Sequence, residues 1–164
     1  GRVGTPEAEP EKVLEAMKVA ALVSGGKDSC YAAMKCSAYG HEIAVLANIE
    51  PAAAVDDADS YMYQTVGHSV IGAYAQCFEL PLFREKTEGR CKNDALAYTA
   101  TVGDEVEDLE RLLRRVKEGE SVAGVCSGAV LSDYQRLRVE NAASRVGLTS
   151  FAYLWRKDQK TLLR

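Results

Sequence analysis

The chain has 164 residues, 47% of them hydrophobic, with a formal net charge of −4. That suits one domain of ordinary size with a real core, is too short for two independent domains, and speaks against a broad electrostatic grip on nucleic acid. The five cysteines form no Cys-x-x-Cys pair, which argues against a disulfide scaffold or a zinc site and for reduced thiols in a cytosolic protein.

Residues 1–12 are polar and rich in Pro and Glu, unlike a signal sequence, so 1–17 are expected to form a loose or partly helical extension ahead of a domain over 18–164. No apolar run approaches the roughly 20 residues of a membrane span. Short β-rich apolar runs predict strands at Val19–Val23, Ile43–Ile49, Leu80–Phe83, Val122–Cys126 and Phe151–Trp155. Between them, helical patterns cover Asp28–Tyr39 closed by Gly40, Tyr61–Phe78 stopped near Pro81, Asp104–Lys117 closed by Gly119, and Ser132–Val146 closed by Gly147. Strict alternation of strand and helix requires crossover connections. The fold class is therefore α/β: a Rossmann-like three-layer fold with a five-stranded, mostly parallel sheet, whose ligands bind at the carboxyl ends of the strands. The Ala/Asp-rich segment Glu50–Asp59 is the best candidate for a mobile loop beside such a site.

After the first strand the chain reads Ser24-Gly25-Gly26-Lys27-Asp28-Ser29 and then becomes helical. Glycines permit a sharp turn and close approach of backbone to ligand, while the free N–H groups and positive dipole end of the following helix favour an anion. Asp28 follows Lys27 where a P-loop requires Ser or Thr, so the chain is not a P-loop kinase or GTPase. In this reading the amides of Gly25 to Asp28 cradle phosphate oxygens, Ser24 and Ser29 add hydroxyl donors, and Lys27 adds a compact positive charge. Asp28 would hold magnesium, since a bare carboxylate and a polyphosphate repel; the alternative for Asp28 is helix capping.

A second polar stretch, Gly128–Glu140, follows the fourth strand and opens a helix. Ser132 suits an N-cap, and Arg136, Arg138 and Glu140 suit a solvated helix face. Because a loop at that sheet edge faces the same crevice, Ser132, Asp133 and Arg136 are also candidates to reach a nucleotide or acyl group. Ser60–His68 is an aromatic and polar helix start, with His68 read either as an ordinary neutral histidine or as a substrate contact. Asp104 and Glu105 fit the first turn of a helix on dipole grounds, or a role in metal or ammonia handling.

The six-residue loop resembles the pyrophosphate loop of the ATP pyrophosphatases, which cleave ATP to AMP and pyrophosphate. From about residue 18 to the end, that loop, Ser60–His68, Gly103-Asp104-Glu105-Val106-Glu107-Asp108-Leu109, Gly128–Glu140 and Ala152-Tyr153-Leu154-Trp155-Arg156 together resemble the diphthine–ammonia ligase family. The resemblance implies an adenine nucleotide alpha hydrolase-like fold, ATP and magnesium as cofactors, and a cytoplasmic ligase. It implies amidation, with ammonium, of diphthine on translation elongation factor 2, through an acyl adenylate, with release of AMP and pyrophosphate, without membrane association or direct nucleic-acid binding. It also implies that Lys27, Asp28, Ser132, Asp133 and Arg136 serve the chemistry, that main-chain groups at Ala47 and Asn48 hold adenine, and that Tyr61, Gln64, His68, Glu105, Tyr134 and Arg138 are candidate substrate contacts. Family members continue into a Glu-Gly-Gly-Glu-Tyr motif and often further domains, whereas this chain ends at Arg164, so a C-terminal truncation is expected. Two other functions fit the loop: an adenylating enzyme that modifies tRNA, and a non-catalytic ATP-binding module.

Overall fold

A computed structural model describes residues 15–50, 70–87, 90–95, 97–158 and 160. Its elements run β1 (Lys18–Leu22), α1 (Lys27–Ala38), β2 (Glu42–Glu50), α2 (Ile71–Phe78), β3 (Leu82–Lys86), α3 (Glu105–Glu120), β4 (Gly124–Cys126), α4 (Asp133–Arg145) and β5 (Thr149–Phe151). Every strand pairing is parallel, and the sheet order is β3-β2-β1-β4-β5. The expected alternation is thus realised, with an all-parallel sheet where a mostly parallel one was expected. The chain winds outward from β1 in one direction as far as β3, then returns to place β4 on the other side of β1. Loops leaving β1 and β4 therefore diverge and open a crevice at the carboxyl edge.

Period-2 alternation in the central strands supplies both cores. Val19 and Ala21 of β1 pack with Ala33, Cys36, Ile71 and Phe151 on one face, while Ala20 joins Val45, Ala47 and the apolar stripes of α3 and α4 on the other. The α3 stripe is Val106, Leu109, Leu112, Leu113 and Val116, all at most 1% exposed and spaced to share one helix face. Burying each is worth about 1.5–3 kcal/mol relative to exposure. Asp104 caps this helix through its carboxylate, which accepts the Val106 N–H at 3.0 Å, and Ser132 caps α4 by accepting the Gln135 N–H at 3.2 Å.

Several boundaries differ from the sequence expectation. The third strand lies at Leu82–Lys86 rather than Leu80–Phe83; it is an edge strand, where charged residues are tolerated, and Glu85 pairs with Arg111 and Arg115 of α3. The fifth strand ends at Phe151. The segment expected to extend it instead turns, with Trp155 N–H donating to the Ala152 carbonyl at 3.0 Å and Arg156 N–H to the Val130 carbonyl at 2.9 Å. Helix α3 runs through Gly119 and stops at Ser121, which takes the left-handed conformation. Gly119 lies inside the helix, at a point where the Phe83 ring packs against it: a Cβ there would lie 2.8 Å from Phe83 Cζ. Of the helix expected over Tyr61–Phe78, Ile71–Phe78 is described and helical. Tyr61, Gln64, His68 and nearly all of the Glu50–Asp59 loop lie outside the described residues. Among the described residues, no helix is long and apolar enough to cross a membrane.

Candidate functional site

A cavity of about 450 Å³ occupies the crevice. Three strand ends line it: Leu22 to Ser24 and Gly26 to Ser29 after β1, Ala47 to Ile49 of β2, and Ser127 to Ser132 after β4, with Leu109, Gln135 and Val139 behind. This is the switch point where the strand order reverses, the position open α/β sheets reserve for ligands.

The loop after β1 is braced from within. Gly25 adopts φ 85°, a left-handed value glycine takes without steric cost, and its carbonyl accepts the Tyr74 hydroxyl at 3.1 Å. Ser29 Oγ donates to the Gly26 carbonyl at 2.9 Å and accepts the Ser24 N–H at 3.2 Å. Its hydroxyl proton is therefore used in shaping the turn, and Ser29 is buried. Gly26 is the N-cap of α1 and offers no side-chain acceptor, in contrast to Asp104 and Ser132 at the starts of α3 and α4. The first-turn amides of α1 carry the helix's positive partial charge and stand at the cavity wall. Lys27 and Asp28 project outward, 78% and 52% exposed, with Nζ and Oδ1 3.0 Å apart. An ion pair so exposed contributes little to stability, which leaves both groups available to a ligand.

The loop after β4 closes on this turn. At Gly128 a Cβ would sit 2.7 Å from Ser29 N, 2.8 Å from Ser29 Cα and 2.9 Å from the Asp28 carbonyl carbon, so only glycine lets β4 approach the start of α1 this closely. On the β2 side, Ala47 and Asn48 line the wall, but their groups are engaged. The Ala47 carbonyl accepts the Val23 N–H at 2.9 Å. Asn48 Nδ2 donates to the Val23 carbonyl at 2.8 Å, and its Oδ1 accepts from Arg84 Nε at 3.2 Å.

Of the residues singled out by sequence, Ser24, Gly26, Lys27, Asp28, Ser29, Ala47, Asn48 and Ser132 line the cavity, and Gly25 shapes it. Asp133, Arg136, Glu105, Tyr134 and Arg138 are not among its lining residues. Arg136 pairs with Glu140 and lies 5.0 Å over the Trp155 ring. Arg138 is fully buried; its guanidinium is 4.8 Å from the Tyr98 ring centre and 4.3 Å from that of Tyr134, and Nη2 donates to the Asn93 and Ala95 carbonyls, each at 2.7 Å. The Tyr134 hydroxyl lies 3.0 Å from Cys91 Sγ and 3.5 Å from Glu105 Oε1. Burial, reinforced by Cys91 and the Glu105 charge, holds the Tyr134 phenol above its ordinary pKa. These residues clamp the irregular segment before α3 onto α4. Sequence reasoning passed over Ser127, Gly128 as a steric requirement, and Gln135; the available signal was a small polar pair, Ser127-Gly128, directly after a short buried strand.

Among the described residues, no group of three or more His, Cys, Asp or Glu side chains could hold a metal ion. Asp28 alone offers an exposed carboxylate at the phosphate turn, a donor set that fits magnesium only when phosphate oxygens and water complete the shell.

Residues 17–150 match the family model described as diphthamide synthase N-terminal domain. A human protein named diphthine–ammonia ligase is 55% identical over 151 residues, which are 90% of this chain and 57% of that protein. Its counterpart by name in Schizosaccharomyces pombe is 53% identical, with 90% and 24% covered, and that of Saccharomyces cerevisiae 47% identical, with 90% and 22% covered. The chain thus spans a little over half the length of the animal relative and about a quarter of the fungal ones.

Proposed function

From the membership of this chain in the diphthamide synthase N-terminal domain family, we propose that it binds ATP at the β1–α1 turn and amidates diphthine on translation elongation factor 2. The observation that carries this reading is the pairing of an α1 N-terminus without a side-chain cap with an outward Lys27, both facing the cavity at the switch point. A polyphosphate matches that arrangement in charge and in hydrogen-bond polarity.

In the proposed reaction the diphthine carboxylate attacks the α-phosphorus of ATP, and the bond to the β,γ-pyrophosphate breaks. Ammonia then attacks the acyl carbon, AMP departs with the former carboxylate oxygen, and the amide remains. The amides of α1 and Lys27 Nζ stabilise negative charge as it accumulates on the departing pyrophosphate. Asp28 would hold magnesium together with phosphate oxygens, and the metal when bound supplies further neutralisation of that charge. Side chains at Ala47 and Asn48 are not available to read adenine, so the base rests against the apolar wall of Leu22, Val23 and Ile49 and takes its polar contacts from main chain. Ser132, already the cap of α4, positions the β4 loop. Arg138, Tyr134 and Glu105 act at one remove by fixing the segment over residues 90–95 against α4. The reading places the protein in the cytosol, beside its substrate.

The test is the fate of α-labelled ATP incubated with the chain, magnesium, ammonium and diphthine-bearing elongation factor. Labelled AMP that depends on the acceptor supports the proposal; labelled ADP, or AMP formed without acceptor, overturns it.

A further inference from the structure

Ser127 stands out among the buried polar groups. It is the first residue after β4, only 6% exposed, and it lines the cavity. Its backbone is fixed: the N–H donates to the Phe151 carbonyl at 3.0 Å, and the next residue, Gly128, packs directly against Ser29 and Asp28. Yet its Oγ, shielded from solvent, has no hydrogen-bond partner among the described residues. A buried hydroxyl left unsatisfied costs about 1–3 kcal/mol relative to an apolar side chain of similar size, and such groups in folded proteins call for a specific explanation. The Arg136 Nε and Asn141 Oδ1 atoms share the same condition, but neither residue lines the cavity.

Ser127 lines the same cavity as the phosphate turn, at the end of the strand that neighbours β1. The turn after β1 supplies amides and Lys27 from one side, and the Gly128 contact brings the β4 end to backbone distance of the amide of Ser29. A serine reorients about one χ1 bond between staggered positions, so the hydroxyl reaches a ligand in the cavity without backbone movement. By contrast, Ser29, the serine that the motif itself suggests as a donor, uses its proton on the Gly26 carbonyl.

We infer that the Ser127 hydroxyl is a phosphate donor: it hydrogen-bonds an oxygen of the polyphosphate held at the α1 N-terminus, so that the anion cradle is built from two strand ends and not from the glycine turn alone. This rests on the nucleotide reading above, and deepens it by assigning a ligand contact to a residue outside the loop motif. A hydrogen bond to a charged acceptor contributes more than a neutral one, and the bond would also satisfy the orphaned hydroxyl.

The experiment is calorimetric titration of MgATP and of inorganic pyrophosphate into the chain and its Ser127→Ala and Ser127→Cys variants, with melting temperatures measured in parallel. Affinity for both ligands should fall about tenfold or more in each variant, while the melting temperature of Ser127→Ala stays level or rises, because an unsatisfied buried group has been removed. Unchanged affinity in the variants, with the wild-type chain binding both ligands, overturns the assignment of Ser127 and leaves the nucleotide reading standing. A drop in melting temperature without a loss of affinity overturns it too, since it shows the hydroxyl to be satisfied within the fold. Failure of the wild-type chain to bind either ligand overturns the nucleotide reading and this inference with it.

Discussion

Gly128→Ala tests how the two halves of the site meet. The added Cβ would fall 2.7–2.9 Å from three backbone atoms of Asp28 and Ser29, none of which has a rotamer to change. Ordinary van der Waals contact begins near 3.4 Å, so the β4 loop and the start of α1 must part by about 0.7 Å. Overpacking of this kind costs about 1–3 kcal/mol, which in a domain of this size lowers the melting temperature by roughly 2–4 °C per kcal/mol. Binding should suffer more than stability, because the displaced atoms include the amides facing the cavity, and ATP affinity is expected to fall by at least about tenfold. Gly72→Ala is the matched control. Among the described residues a Cβ there meets nothing within 4 Å, and the position lies in helix α2, so the substitution should stabilise the chain by about 0.5–1 kcal/mol and leave ATP affinity alone. Calorimetric melting and ATP titration of both variants read the two effects. Wild-type stability and affinity in Gly128→Ala would refute the close-approach argument.

Lys27→Ala should lower ATP affinity about tenfold while changing stability by less than about 0.5 kcal/mol, because its side chain is 78% exposed; Asp28→Asn should abolish the dependence of ATP affinity on magnesium, read by titration with and without the metal. Glu107 binds Arg145 through both oxygens, at 2.8 and 2.7 Å, and accepts the Tyr98 hydroxyl at 2.8 Å. The Arg145 bond above all, with Tyr98 adding to it, holds its carboxyl below the usual range. Its stabilising contribution is therefore complete above the unfolded-state value of about 4.3 and is lost as pH falls through the lower folded-state value. Glu107→Gln should accordingly cost about 1–2 kcal/mol at neutral pH, with the gap to wild type closing below about pH 4 in urea melts. Arg138→Met should destabilise by about 3 kcal/mol or more, since it leaves the Asn93 and Ala95 carbonyls without the guanidinium; hydrogen exchange should rise over 90–104 before it does elsewhere.

The parts of the fold that follow from local chemistry were legible in the sequence. A glycine turn between an apolar strand and a helix could be read as an anion site because both the turn and the amides it exposes are local. The parallel sheet followed from strand and helix alternation. The misreadings have a common cause in contacts distant along the chain. Tyr153, Leu154 and Trp155 have the composition of a strand, but the segment turns back so that Leu154 is buried and Arg156 bonds to Val130. Gly119 reads as a helix stop, yet it lies within α3, where the Phe83 ring from β3 takes the space a Cβ would occupy. Arg138 has the spacing of a solvated helix face, yet the segment holding Asn93, Ala95 and Tyr98 folds over it and buries it completely. Ser127 carried no motif at all: what distinguishes it is a buried hydroxyl beside the cavity with no partner among the described residues, a property that appears only in three dimensions.

The central claim is that this chain amidates diphthine, and the most direct measurement is mass spectrometry of diphthine-bearing elongation factor after incubation with the chain, MgATP and heavy-nitrogen ammonium. The account predicts that the diphthine gains one heavy nitrogen, strictly dependent on ATP, and that Lys27→Ala slows this gain in step with its weaker ATP binding. Incorporation without ATP, or no incorporation although the chain binds ATP and the acceptor together, would contradict it.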